Sequence, residues 1–283
     1  MADASSGASS GKVPVVECVA AAWRFMFENW TRFLPAAAIV SVASGIAPLM
    51  ATAFVGAEYV VTVIASVLFT AVVLRYAVRG EYSAPTGLAL GADEARLIGV
   101  LGATALVYAP LLFVLLIAWG VSLLNSLGLT AEEIEALSRN PEEFNQAVAK
   151  AMAAPPSPTL VVIGVIAFVV LAYLATRLFL VNAATIGERR AVFFQTWSWS
   201  KGNVLHIFAA IFLTALPSVL VSLIVGSILS GVAFQEAGSP AGAITVIVVG
   251  TVVSLISTLL SIPQIVLGAH LYKGLRPPDF VAK

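Results

Sequence analysis

The feature of this sequence that most constrains its fold is a series of six long windows that contain no Asp, Glu, Lys or Arg. The windows cover residues 33–57, 59–74, 97–131, 151–176, 202–235 and 237–272. A helix needs about 20 apolar residues to cross the hydrocarbon core of a bilayer, and it satisfies its own backbone hydrogen bonds there. Each window therefore predicts one transmembrane helix. We place the spans at about 34–55, 58–78, 97–122, 159–183, 204–232 and 242–270.

The composition supports the same fold class, an all-α polytopic bundle of six transmembrane helices. The chain is 60% apolar and 11% charged, whereas a soluble domain carries about 25% charged residues. A water-facing surface cannot be built from so few charges. The formal net charge of zero gives no electrostatic basis for a nucleic-acid partner.

The distribution of Lys and Arg predicts the orientation of the bundle. Thirteen of the fifteen basic residues fall in segments on one side of the six spans, and only Arg139 and Lys150 fall on the other. Cytoplasmic loops carry the excess of Lys and Arg in membrane proteins. Both termini are therefore expected in the cytoplasm, as are the loops after spans two and four.

The N-terminal region divides into a polar tail and an amphipathic stretch. Residues 1–12 are small and polar and predict a disordered cytoplasmic tail, followed by one transmembrane domain over residues 13–283. Within about 14–33, apolar and aromatic residues such as Trp23 and Phe27 recur at helical spacing. This pattern predicts an interfacial helix on the cytoplasmic leaflet. A second Trp-rich stretch, residues 189–203, precedes span five.

The longest segment on the external side covers about residues 127–158. Thr130 opens a capping-box pattern, and Asn140 followed by Pro141 is typical of a second helix start. We expect an external helical loop. Its role as a lid, a docking surface or a solvated connector is open.

Small residues and prolines mark the later spans. Span five carries Ala210, Thr214, Ser218, Ser222, Gly226 and Ser230 at four-residue spacing, and span six carries Gly250, Ser254 and Thr258. Small residues let helices approach closely, which predicts a tight hairpin of spans five and six, with a homodimer seam as the alternative.

Four prolines lie inside spans: Pro48, Pro110, Pro217 and Pro263. They predict bends, or alternatively the helix breaks that transporters use at binding sites.

A search for chemical motifs finds none, so we expect neither enzymatic activity nor a cofactor. The single cysteine, Cys18, excludes an intrachain disulfide. His206 and His270 have no ligating residues spaced around them, so no metal site is expected. Gln264 is the clearest polar residue within a span, and we expect it to bond a carbonyl freed by Pro263.

The candidate site is a polar rim at the cytoplasmic ends of the spans. Its residues are Arg75, Asp93, Glu94, Arg96, Arg177, Lys201 and Asn203. An arginine at the end of a span either reaches lipid phosphate or pairs with an acid. We expect Arg75 or Arg177 to pair with Glu94 or Asp93, and Lys201 with Asn203 to complete a rim that holds an anionic headgroup. The alternative is that the two acids only begin span three, where the helix dipole favours them.

Three phrases of the sequence carry a resemblance to a known family. They are LALGADEARL at 88–97, TWSWSKGNVLHIF at 196–208 and GAHLYKGL at 268–275. They resemble phrases in uncharacterised alphaproteobacterial inner-membrane proteins, which are similar to the membrane domain attached to some glycerophosphoryl diester phosphodiesterases. The soluble phosphodiesterase domain has no counterpart in this sequence, so the resemblance implies the bacterial inner membrane and not the activity.

Together these features predict a non-catalytic inner-membrane protein that interacts with lipid or acts as a scaffolding or accessory module. Its expected partners are membrane lipids, with a protein partner or a second copy of the chain as further candidates. The alternative is a small transporter or channel with proline-broken helices. A cavity lined by polar side chains would favour that alternative.

Overall fold

The computed structural model describes residues 12–50, 56–83, 85–126, 158–235 and 240–278, with isolated positions between 140 and 149. Helix α1 covers Val15–Met50, and α2 (Ala57–Leu74) continues into a π-helical turn, Arg75–Arg79. Then follow α3 (Ala92–Ser126), α4 (Pro158–Leu178), α5 (Val181–Gly187), α6 (Gln195–Trp199), α7 (Val204–Gln235) and α8 (Pro240–Leu275).

Six of these helices are long and apolar enough to cross a membrane, which confirms the predicted fold class. They are α1, α2 with its π-helical turn, α3, α4 with α5, α7 and α8. The fourth span differs in detail, because α4 ends at Leu178 and a turn at Phe179 and Leu180 separates it from α5.

The residues predicted to form an interfacial helix at about 14–33 and those predicted to begin the first span at 34 belong to one continuous helix. Helix α1 runs without interruption from Val15 to Met50 and passes through Pro35. Phe33, Ala36 and Ala37 on either side of the proline are fully buried, and such packing holds a helix together where one backbone hydrogen bond is missing. The predicted tail and most of the external loop lie outside the described residues.

The chain divides into two compact units. The larger unit consists of Met1–Gly102 and Thr176–Lys283, and its core contains fully buried side chains from α1, α2, α5 and α8, among them Phe33, Leu74, Ile186 and Leu267. The smaller unit is Ala103–Ala175 and contains most of α3 and α4. Its large apolar side chains, such as Phe113 and Phe168, are exposed, as expected for side chains that face lipid.

Two spans, α1 and α8, approach each other closely. A Cβ atom added at Gly45 would lie 3.0 Å from backbone atoms of Thr251, and one at Gly250 would lie 3.8 Å from the Gly45 Cα atom. The predicted pair of α7 and α8 does pack, with Ser218 Oγ donating to the Leu260 carbonyl at 2.9 Å. The predicted close approach at Gly226 is wrong, because a Cβ atom there would meet nothing within 4 Å. Small residues permit close approach, but the crossing point depends on the partner helix.

The prolines do not break the helices. Helix α1 continues through Pro48, α3 through Pro110, α7 through Pro217 and α8 through Pro263. Each proline removes one backbone donor, and the helix nevertheless extends past it. The irregular backbone lies instead in the π-helical turn after α2, a type of irregularity that often accompanies functional sites.

Candidate functional site

A group of paired charges, here called the charged platform, lies in the larger unit around the π-helical turn, the start of α3, the segment after α5 and the end of α8. Its members are Arg75, Arg79, Glu81, Asp93, Glu94, Arg96, Glu188, Arg189 and Arg276. All of them fall on the side of the spans that the basic residues predict to be cytoplasmic.

The Arg75–Glu94 pair is the most buried part of the platform. Arg75 Nη1 lies 2.8 Å from Glu94 Oε1, and the two residues are 8% and 2% exposed. Arg75 Nη2 also donates to the Gly87 carbonyl at 3.0 Å, while Glu94 Oε2 accepts from the Gly91 backbone N–H at 3.0 Å. The Nη1–Oε1 contact is off the hydrogen-bond axis and is therefore a charge contact. The predicted pairing of Arg75 with Glu94 is confirmed, and Glu94 also caps α3.

Asp93 is shared by two arginines from different elements. Its Oδ2 atom accepts from Arg79 Nη2 and its Oδ1 atom from Arg96 Nη1. Arg79 Nη1 reaches further, to the Ile186 carbonyl of α5 at 3.1 Å, and Arg79 Nη2 contacts Glu81 at 2.8 Å. Asp93 and Arg79 thus connect the π-helical turn with both α3 and α5.

The end of α8 is held by Glu188. Its Oε1 atom accepts from the Tyr272 hydroxyl at 2.6 Å and lies 2.6 Å from Arg276 Nε. Lys273 Nζ donates to the Ala77 carbonyl of the π-helical turn at 2.9 Å. The Tyr272 ring also lies against Gly187, where an added Cβ atom would come within 2.6 Å of it. These contacts attach α8 to both α5 and the π-helical turn.

An aromatic cluster packs the π-helical turn against α1. The ring centroids of Phe33 and Tyr76 are 5.7 Å apart, and the Arg32 guanidinium lies 4.5 Å from the Tyr76 ring centroid. The Tyr82 hydroxyl donates to the Arg32 carbonyl at 2.7 Å. Partial burial raises the pKa of Tyr82 and outweighs the opposing effect of the Arg32 charge. Tyr82 is therefore a neutral donor at physiological pH.

Within the platform, each acid lies within hydrogen-bond distance of an arginine. Arg75, Asp93, Glu94 and Arg96 of the predicted rim are thus brought together and compensate each other inside the protein. Using one of them to hold a headgroup would require breaking a pair that is partly or fully buried. The geometry gives these residues a structural role.

Two of the remaining rim residues, Arg177 and Lys201, belong to a second group of residues, here called the aromatic patch, made of Arg177, Phe194, Trp197, Lys201 and Leu205. Arg177 Nη1 donates to the Trp197 carbonyl at 2.9 Å and to Ser200 Oγ at 3.1 Å, and its guanidinium lies 5.3 Å from the Trp197 ring centroid. Phe194 and Leu205 are 76% and 80% exposed. Arg177 therefore lies against α6, and its predicted pairing with Asp93 or Glu94 is not observed.

Asn203 has a different role from the one predicted. Its side chain is buried, and Oδ1 accepts from the Val13 backbone N–H at 3.1 Å. This hydrogen bond ties the chain before α1 to the start of α7. Asn203 is therefore a structural connector beside the aromatic patch.

A cavity of about 380 Å³ lies among α1, α2 and α8 in the larger unit. It is here called the hydroxyl-lined cavity. Nine of its twelve lining side chains carry a hydroxyl or amide group: Ser44, Thr62, Ser66, Thr70, Ser254, Ser257, Thr258, Ser261 and Gln264. The other three, Val40, Phe69 and Ile265, are apolar, so none of the described lining residues is charged.

Gln264 contributes an amide group to this cavity, and only one of its two polar atoms has a hydrogen-bond partner among the described residues. Nε2 donates to the Ile211 carbonyl of α7 at 2.9 Å, while the buried Oε1 atom has no hydrogen-bond partner among the described residues. Gln264 does bond a carbonyl, but the prediction that a proline frees this carbonyl is wrong. Pro263 and Pro217 free the carbonyls four residues before them, at Leu259 and Leu213, and Ile211 is neither.

One of these features has a signal in the sequence that hydropathy does not reveal. Thr62, Ser66 and Thr70 recur every four residues along α2, so one face of this span is polar, as on span five. The π-helical turn gives no such signal, because its residues differ little from those of an ordinary helix end.

Comparisons with protein-family models, curated proteins and solved structures found no match. The resemblance of the three phrases to alphaproteobacterial inner-membrane proteins stays a prediction. The three phrases do lie in one region of the larger unit. Glu94 and Asp93 of the first belong to the charged platform, and Trp199 of the second lies 6.1 Å from Tyr272 of the third, between ring centroids.

Proposed function

We propose that this chain is a non-catalytic protein of the bacterial inner membrane that binds anionic lipid at its cytoplasmic surface. The observation that carries the proposal is the aromatic patch, where exposed Phe194, Trp197 and Leu205 accompany Arg177 and Lys201. Aromatic side chains favour the headgroup level of a membrane, and each basic residue near an anionic leaflet contributes about 1 kcal/mol of attraction.

The charged platform supports this proposal indirectly. Its arginines are matched by acids within the larger unit, so they hold the ends of the helices together and leave little charge for lipid. Lys201 is exposed at the aromatic patch. Of the predicted rim residues, Arg177 and Lys201 are therefore the ones proposed to bind the lipid headgroup. Trp197 provides the aromatic contact with the lipid.

The test is native mass spectrometry of protein purified in mild detergent, with bound phosphatidylglycerol counted. We expect Lys201→Ala and Trp197→Ala to reduce the bound phosphatidylglycerol. Arg24→Ala is the matched control, because Arg24 is an exposed basic residue of α1 outside the aromatic patch. Equal losses in the control and in Lys201→Ala would show general electrostatic attraction and would contradict a site at the patch. Proteins that co-purify with the chain in the same experiment test whether it also acts as a scaffold.

A small transporter or channel is the second candidate function, because the hydroxyl-lined cavity provides the polar interior that such a protein needs. The continuous helices do not support the proline breaks on which this candidate first rested. Solute flux into proteoliposomes tests this second candidate function, and flux equal to that of empty liposomes would exclude it.

A further inference from the structure

The hydroxyl-lined cavity has a chemistry that restricts what can occupy it. No charged side chain lines it among the described residues, and nine side chains offer hydroxyl or amide groups. A charged ligand would lose its hydration without a compensating charge. An apolar ligand would leave buried polar atoms unsatisfied. The lining therefore suits an uncharged molecule that both donates and accepts hydrogen bonds.

The polar lining also continues into neighbouring cavities. Ser257, Ser261 and Gln264 line a second cavity of about 370 Å³ between α7 and α8. Thr62, Ser66 and Thr70 line a third, of about 220 Å³, together with Asn182. Pockets for small molecules have volumes of about 300–1,000 Å³, so the hydroxyl-lined cavity is large enough for a small polyol.

We propose that the hydroxyl-lined cavity binds uncharged polyhydroxyl compounds, which hydrogen-bond to the serine and threonine hydroxyls of its lining. Hydroxyls of α2 and α8, including Thr70 and Ser257, provide these hydrogen bonds. The ligand is either a free polyol or the glycerol hydroxyl of a neutral lipid, because both present the same chemistry. This proposal is independent of lipid binding at the aromatic patch.

Saturation-transfer NMR on the full chain in nanodiscs tests the proposal with three probes: glycerol, dioctanoylglycerol and glycerol 3-phosphate. We expect binding of glycerol, of dioctanoylglycerol or of both, and none of glycerol 3-phosphate. Binding of glycerol identifies a free polyol as a sufficient ligand, and binding of dioctanoylglycerol alone identifies the neutral lipid. Absence of binding by both uncharged probes, or equal binding of glycerol 3-phosphate, would overturn the proposal.

Variants locate the binding within the cavity. Thr70→Val and Ser257→Ala are each expected to raise the Kd about three- to tenfold, the effect of one lost hydrogen bond. Ser227→Ala is the matched control, because Ser227 is exposed on α7 and lines none of the three cavities. Thr70→Val keeps the size of the side chain, so a change in Kd reports the loss of the hydroxyl. An unchanged Kd in both Thr70→Val and Ser257→Ala would overturn the assignment of the ligand to this cavity.

Discussion

At the scale of single residues, the charged platform explains how a chain with few charges positions the ends of its helices. Arg75 and Glu94 are almost completely buried, and each also bonds a backbone group of the segment that connects α2 with α3. An ion pair so deeply buried is costly to break, because the remaining charge loses its compensation. The pair therefore fixes the path of the connection between the two helices.

The first prediction is a double-mutant cycle on this pair. Arg75→Met and Glu94→Gln should each lower stability by about 3–5 kcal/mol, because each leaves a buried partner without compensation. The double variant should lose less than the sum of the single losses. Melting temperature in detergent is the measurement. Arg177→Ala combined with Glu94→Gln is the control cycle and should be additive, because Arg177 lies against α6. Additive losses in the Arg75 cycle would show that the two charges do not interact.

A second prediction concerns Gly187, which lies under the ring of Tyr272. A Cβ atom at Gly187 would come within 2.6 Å of the ring, so Gly187→Ala must displace the side chain that bonds Glu188. Overpacking of this kind typically costs about 1–3 kcal/mol. Gly274→Ala, two residues from Tyr272, is the control, since a Cβ atom there meets nothing within 4 Å. Equal melting temperatures for the two variants would contradict the contact.

The sequence predicted one of the platform's pairs and missed the rest for a physical reason. Arg75 borders a charge-free window and Glu94 lies three residues before the next one, and a charge so close to a span needs a partner. The contacts of Arg79 with Ile186 and of Tyr272 with Glu188 join residues that lie far apart in the chain. Such contacts depend on how the helices are arranged, and the hydropathy of one segment contains no information about its neighbours.

At the scale of helices, the sequence likewise predicts where a span lies but not which helix it packs against. The spans could be placed from charge-free windows because the hydrocarbon core imposes the same length on every helix. The helix against which each span packs could not be predicted from these windows. The small residues of α7 predicted that α7 packs tightly on α8 along positions such as Ser222 and Gly226, whereas a close crossing lies between Gly45 of α1 and the Gly250–Thr251 segment of α8.

This crossing yields a third prediction. Gly45→Leu should lower stability by about 1–3 kcal/mol or more, because the new side chain meets the Thr251 backbone. Gly226→Leu is the matched control and should melt close to the native protein, since the space beside Gly226 is open. Thermal unfolding of the two variants in the same detergent compares them directly. A larger loss for Gly226→Leu would show that the close contact lies on α7.

At the scale of the whole molecule, the fold combines six membrane spans with a strongly asymmetric distribution of basic residues. The proposed role of the aromatic patch depends on this orientation. An aromatic patch that binds anionic lipid must face the cytoplasmic leaflet, where attraction to the surface potential is available. The orientation of the spans is therefore the central claim on which the proposed function rests.

Cysteine labelling measures this orientation most directly. In a Cys18→Ser background, Glu142→Cys and Ser198→Cys each place a single thiol at an exposed position. Glu142 lies between α3 and α4 in the chain, and Ser198 lies after α4, beside the aromatic patch. A membrane-impermeant maleimide is added to intact and to permeabilised spheroplasts. We predict that Glu142→Cys reacts in intact spheroplasts and that Ser198→Cys reacts only after permeabilisation. The reverse pattern, or labelling of both thiols from the same side, would contradict the account.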